Sequence, residues 1–107
     1  MRWRVEFLNV AARAEVDSLP ADLRARFARI VELIEMHGLE RVGGPYVKHL
    51  EGKLWEMRMK GRDGIARSLY VTAAGRRVIV LRTFVKKTRK APRREIELAL
   101  ERAKELR

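Results

Sequence analysis

Between Arg82 and Arg94 the sequence places seven cationic side chains, Arg82, Lys86, Lys87, Arg89, Lys90, Arg93 and Arg94, without a single carboxylate among them. Such a run suits a polyanion, because neutralising phosphates releases their counterions and drives association. Two arginines lie upstream, Arg58 in "KLWEMRMK" and Arg67 in "GIARSLYVT". The planar guanidinium fork matches phosphate oxygens, although either residue can equally pair with a neighbouring carboxylate or stand as an ordinary strand charge. Lys86 and Lys87 add a capacity for proton transfer, since crowding among cations favours the neutral amine and lets a lysine act as a base near neutral pH. Consecutive residues of a strand face opposite ways. One of the pair is therefore expected to meet substrate and the other solvent or a protein partner. His49, in "VKHLEG", is a further candidate acid or base. His37, ahead of Gly38 at a helix end, is read instead as a partner of the helix dipole.

These residues need a scaffold that brings them together. Arg2 to Leu8 alternates, with Trp3, Val5 and Phe7 on one side and charged residues on the other, the period of a half-buried strand. Asn9 can cap a short helix over "VAARAEVDS". After Pro20, the spacing of Leu23, Phe27, Ile30 and Ile34 predicts a second helix, ended by Gly38. The two make a helical hairpin. "LERVGGPYVKHLEG" breaks periodicity and reads as a loop able to carry part of a binding surface. Three strand segments follow, "KLWEMRMK", "GIARSLYVT" and "RRVIVLRTFVK", with turns at 61–64 and 73–75 too short for crossover helices. They predict an antiparallel meander with the first strand at one edge of the same sheet. Pro92 opens a last helix whose buried stripe is Ile96, Ala99, Leu100, Ala103 and Leu106. The expected fold class is α+β in one domain spanning 1–107. Antiparallel pairing can gather Arg58, Arg67 and the Lys86–Lys87 pair into one patch, with register deciding which share a face.

Composition narrows the partners. In 107 residues, 25 Lys and Arg against 14 Asp and Glu leave a formal charge of +11, and the sequence pI is about 11.0. The excess points to nucleic acid rather than to solubility alone, because it is unevenly placed. There is no cysteine, which removes disulfides and thiolate metal sites. No apolar run approaches the roughly 18 residues of a membrane span, and the N-terminus lacks a signal-peptide core. A cytoplasmic protein without membrane association is expected. No phosphate loop, paired carboxylates or histidine-rich metal spacing is present, so neither cofactor nor catalytic metal is expected. Trp3 and Trp55 read as core or core-edge residues, and Tyr70 as part of a half-buried sheet face.

"LEGKLWEMRMKGRDGIARSLYV" followed by "GRRVIVLRTFVKKTRKAPRREIELALERAKE" resembles the phage Gp49-like branch of the HigB toxins, within the RelE/ParE toxin superfamily. The resemblance runs from the Trp3 strand to the last helix and is carried most specifically by "FVKKT.K.P..EIE.A". It implies a small RelE/ParE-like fold and the toxin of a type II toxin–antitoxin module. HigB and RelE toxins are ribosome-dependent mRNA endonucleases, or mRNA interferases, whereas the ParE branch poisons DNA gyrase. The implied partners are a helix-turn-helix (HigA-like) antitoxin, the ribosome and mRNA in its A site. A non-toxic, phage-derived nucleic-acid-binding protein is the third reading.

A metal-free ribonuclease must deprotonate a 2′-OH, stabilise charge on the phosphorane and protonate the leaving 5′-oxygen, for which it needs acid–base groups and fixed cations. The resemblance implies Arg67 at the scissile phosphate and Arg58 at the basic position of the family's "LWELR" phrase. Lys86, Lys87 and His49 complete the candidate catalytic set. Lys53, Lys60, Arg82, Arg89, Lys90, Arg93 and Arg94 are the candidates for RNA or ribosome contact. Where many HigB-like relatives carry a histidine before the "GF" or "AF" of this phrase, the chain has Arg82 and Thr83, so that histidine has no counterpart here.

Overall fold

The computed structural model describes residues 2–44, 46–62, 64–86 and 92–106. The chain begins with strand β1 (Arg4–Phe7) and helices α1 (Val10–Asp17) and α2 (Ala21–His37). Asn9 caps α1 as expected, its side-chain oxygen accepting from the Ala12 N–H at 2.9 Å. Gly38, at φ +90°, ends α2 in a conformation that penalises a side chain. The four strands that follow are β2 (Val47–Glu51), β3 (Leu54–Lys60), β4 (Ile65–Ala73) and β5 (Arg77–Lys86), and helix α3 (Arg93–Ala103) closes the order.

One sheet of order β1-β5-β4-β3-β2 results. β2 to β5 form an antiparallel meander, and β1 pairs in parallel with β5 at the far edge. The loop expected over 39–52 is a correction: after a 3-10 turn at Leu39–Arg41 it contains β2. This strand lies on an edge, is half exposed and carries a register shift between His49 and Glu51. It therefore shows neither clean alternation nor an apolar run, the two signals that mark a strand in sequence.

Each face of the sheet has its own core. Met57, Met59, Ala66, Tyr70, Val78 and Val80 pack with Leu23, Phe27, Ile30 and Ile34 of α2. Leu54, Leu69, Val71, Ile79 and Leu81 pack with Ala99 and the apolar stripe of α3. Tyr70 is buried in the first core, and burial pushes its hydroxyl pKa up. Gly61 lets the β3–β4 turn approach α2, since a methyl there would collide with Asp22 and Leu23. The Asp22 carboxylate accepts the Arg62 N–H at 2.9 Å, fixing the hairpin tip to the helix. Among the described residues no helix is long and apolar enough to cross a membrane.

An ion-pair cluster fastens α3 to the rest. Arg82 meets Glu95 of α3 at 2.8 Å and Glu15 of α1 at 2.7 Å, and Arg102 of α3 meets Glu15 at 2.9 Å. Burial pushes the Glu15 pKa up, but hydrogen bonds from Arg102, the Thr83 N–H and Arg82 outweigh it and hold the carboxyl below its ordinary 4.5. A depressed carboxylate pKa stabilises the fold above the ordinary value, and that contribution is lost as pH falls through the lowered one. The melting temperature is accordingly expected to drop on acidification below about pH 4.5. Glu15→Gln should melt lower at neutral pH and fall less steeply; equal slopes for the two proteins would remove Glu15 from the account.

Candidate functional site

Register decides which cations meet. Arg58 of β3 lies directly opposite Arg67 of β4, and Arg67 lies opposite Phe84 of β5. Glu56 and Lys48 are partners across β3 and β2. By the two-residue period, Lys48, Glu56, Arg58 and Arg67 share the face that α3 covers farther along the sheet.

Lys86 reaches that face through an irregularity. β4 pairs Tyr70 with Val80 but Leu69 with Arg82, leaving Leu81 as an extra residue in β5. A regular strand would send Lys86 to the side of Val78 and Val80, towards α2. The bulge reverses the alternation and brings Arg82, Phe84 and Lys86 to the side of Arg67. Lys86 pairs with Ile65, which pairs on its other side with Lys60.

Among the described residues the result is a cluster of four cations, Lys48, Arg58, Arg67 and Lys86, around one carboxylate, Glu56. Two arginines set directly opposite would repel. Glu56 relieves this, with Oε2 at 2.9 Å from Arg67 Nη1 and Oε1 at 3.5 Å from Arg58 Nε. The Glu56 side chain is 0% exposed and that of Arg67 3%, against 38% for Arg58. Arg67 therefore supplies its charge from beneath, while Arg58, Lys86 and Lys48 present theirs outward. Burial pulls the Arg67 pKa down, Glu56 opposes this and Arg58 reinforces it, leaving a lowered value. Lys86 is lowered as well, by desolvation first and then by Arg67 and Arg58, with Glu56 opposing. This is the direction a lysine base requires.

The other sequence candidates separate. His49 pairs across the strands with Trp55, out of phase with Lys48 and Glu56, and so points to the opposite face from Arg58 and Arg67. Its Nε2 lies 2.8 Å from the Gly52 carbonyl, and its ring meets Trp55 edge-on at 5.0 Å. It takes no part in the cluster. Lys53 sits in the β2–β3 turn, at the other end of β3 from Lys60. Arg82, expected to contact RNA, has its guanidinium taken up by Glu15 and Glu95. Arg93 pairs with Glu51 at 2.6 Å and Glu97 at 3.5 Å, fixing the start of α3 to β2. Arg94 is exposed. Lys87, Thr88, Arg89 and Lys90 lie outside the described residues.

Sequence reasoning missed Glu56 and Lys48. Glu56 was legible in principle, because the alternation in "LWEMRM" puts it two residues from Arg58 on the same face. Lys48 was hidden with β2. Among the described residues no group of three or more His, Cys, Asp or Glu side chains is placed to hold a metal ion.

The family model described as phage-derived protein Gp49-like matches residues 14–104. No curated protein matches the chain. Among solved structures, a double mutant of the E. coli toxin RelE in the free state aligns over 100% of both chains, with a TM-score of 0.64 and 15% identity. A chain of the archaeal RelE–RelB complex from Pyrococcus horikoshii aligns over 81% of this chain and 98% of that one, with a TM-score of 0.58 and 22% identity. At these identities the likeness is one of fold: the small α+β architecture with a C-terminal helix is that of RelE.

Proposed function

The chain belongs to the phage-derived Gp49-like protein family, and we propose that it is the toxin of a type II toxin–antitoxin pair that cleaves mRNA in the ribosomal A site. The observation that carries this reading is the convergence of Lys48, Arg58, Arg67 and Lys86 on one sheet face around Glu56. The fold shared with RelE, a toxin by its description, supports it. The RelE–RelB complex supports a protein antitoxin as partner, for which a helix-turn-helix, HigA-like protein is our proposal.

Cleavage proceeds in this reading by attack of a ribose 2′-oxygen on the adjacent phosphorus, breaking the bond to the 5′-oxygen, which takes a proton from water and departs as a hydroxyl, and leaving a 2′,3′-cyclic phosphate. Arg58, with Arg67 behind it, offsets the charge that grows on the non-bridging oxygens. Fixed cations in a partly desolvated site act without reorganising. Glu56 positions both guanidinia. Lys86, in its neutral form, takes the 2′-OH proton. The ribosome holds the RNA in the attack geometry, a contribution that a small open patch lacks by itself.

The test is translation from purified components, with primer extension on the mRNA, run with and without ribosomes. Cuts that require ribosomes support the reading. Intact mRNA with folded protein overturns it, and the same sample is then assayed for trapped gyrase–DNA cleavage complexes. A lysine base also predicts a pH profile. Deprotonation rises with pH, so the single-turnover rate should climb about tenfold per unit for as long as pH stays below the lowered Lys86 pKa. In Lys86→Met the residual rate should be flat with pH. A wild-type rate independent of pH would remove Lys86 as the base.

A further inference from the structure

Beside the catalytic patch, between α2 and the edge of β3 beyond β2, lies a cavity of about 310 Å³, within the range of small-molecule pockets. Arg26 and Arg29 of α2, Tyr46, and Arg58 and Lys60 of β3 line it around Ile30. A second cavity, of about 520 Å³, shares Arg29 and Tyr46 and continues to Arg41 and the Gly43–Gly44 backbone. No carboxylate is among the described residues lining either one, although Glu32 pairs with Arg29 from one turn along the helix. Tyr46 stands between the two. Its backbone is held at both polar groups: its N–H donates to the Gly43 carbonyl at 2.9 Å and its carbonyl accepts from the Arg58 N–H at 2.8 Å. The residue nevertheless remains 41% exposed. An aromatic ring on a fixed backbone, flanked by cations, matches a nucleobase with its phosphates. Arg58 lines the cavity at the open edge of β3 and belongs by strand parity to the catalytic cluster on the other sheet face, so a strand that reaches both passes around that edge.

The geometry points to a nucleotide subsite: this cavity takes the nucleotide flanking the cleaved phosphodiester in single-stranded RNA, its base on Tyr46 and its phosphate between Arg26 and Arg29. The assignment rests on the ribonuclease reading for the identity of the neighbouring bond. An acidic peptide would use the arginines but would leave the aromatic platform without a role. The RNA can be the message or a ribosomal RNA strand, since both offer the same chemistry.

The test uses the full chain and a fluorescent hexaribonucleotide carrying 2′-O-methyl groups, which cannot be cleaved, with anisotropy measured over a range of salt. Tyr46→Ala should weaken binding roughly tenfold, while Tyr46→Phe retains it. Arg26→Ala/Arg29→Ala should reduce the slope of log K against log salt by about 0.7, the value for the one phosphate they hold. All three side chains are exposed, so circular dichroism should show unchanged folding. No binding by the wild type, or binding insensitive to all these variants, overturns the subsite. On programmed ribosomes, 4-thiouridine placed in the message should crosslink to Tyr46 if the strand is mRNA. A crosslink from thiouridine-labelled ribosomal RNA alone assigns the same subsite to that source. Failure here is separable from failure of the activity. Tyr46-dependent binding with intact mRNA keeps the subsite and removes the nuclease, whereas wild-type kcat/KM in Tyr46→Ala with unaltered oligonucleotide binding does the reverse.

Discussion

Arg67→Ala is expected to lower ribosome-dependent cleavage by about 10² to 10³-fold and, in the same protein, to cost the fold about 3 kcal/mol. The first effect follows from removing a fixed cation beneath the site of charge development. The second follows from what the arginine leaves behind. Glu56 is wholly buried and, among the described residues, its nearest cation is Arg67, at 2.9 Å. Breaking a buried ion pair by deleting one partner costs about 3–5 kcal/mol, because an uncompensated charge remains. Arg58, 3.5 Å away and partly exposed, keeps the value towards the lower end. Loss of activity in the single variant therefore does not separate catalysis from folding. Arg67→Ala/Glu56→Gln does, since it removes the stranded carboxylate along with the cation. Urea unfolding of the double variant should return most of the lost stability, and its cleavage should remain low. A double variant as active as the wild type would show that Arg67 only supports the fold.

The same pair illustrates how far the sequence reaches. Arg58 and Arg67 were placeable as neighbours, because short turns force consecutive strands to pair antiparallel and the hairpin tip at 61–64 leaves them nearly equidistant from the turn. Which side chains share a face depends on single-residue register, and there the sequence was ambiguous. The extra residue at Leu81 decides that Lys86 joins the patch, yet "RRVIVLRTFVK" is apolar on both alternations and conceals a bulge. β2 was concealed for a different reason. An edge strand with Lys48 and His49 exposed resembles a polar loop until its partner is known. Once β2 is known, strand parity puts His49 on the face away from Arg58 and Arg67. Helices α2 and α3 were legible because their apolar stripes recur at helical spacing and each packs on one sheet face.

Arg82 is the residue for which sequence and structure make opposite predictions. A cation in a basic run is expected to track phosphate, so its loss should reduce salt-dependent RNA affinity and leave stability unchanged. In the structure its guanidinium lies between Glu95 and Glu15, residues 13 and 67 positions away along the chain. Its hydrogen bond to Glu95 above all, assisted by Glu15 against the opposing effect of burial, raises its pKa. Glu15 and Glu95 side chains are 17% and 11% exposed. Removing Arg82 leaves Glu15 with Arg102 and Glu95 without its arginine, at a cost of about 3 kcal/mol, the lower end for a buried pair because water still reaches these groups. The loss should concentrate where the cluster joins α1, β5 and α3. Hydrogen exchange of Arg82→Ala should therefore show α3 amides losing protection before those of β3 and β4. Restoring the apolar volume alone, in Arg82→Met, should not rescue it, whereas Arg82→Met/Glu95→Gln should recover a large part by removing the stranded charge. Unchanged stability in Arg82→Ala, together with a reduced salt slope for RNA binding, would return Arg82 to the nucleic-acid surface.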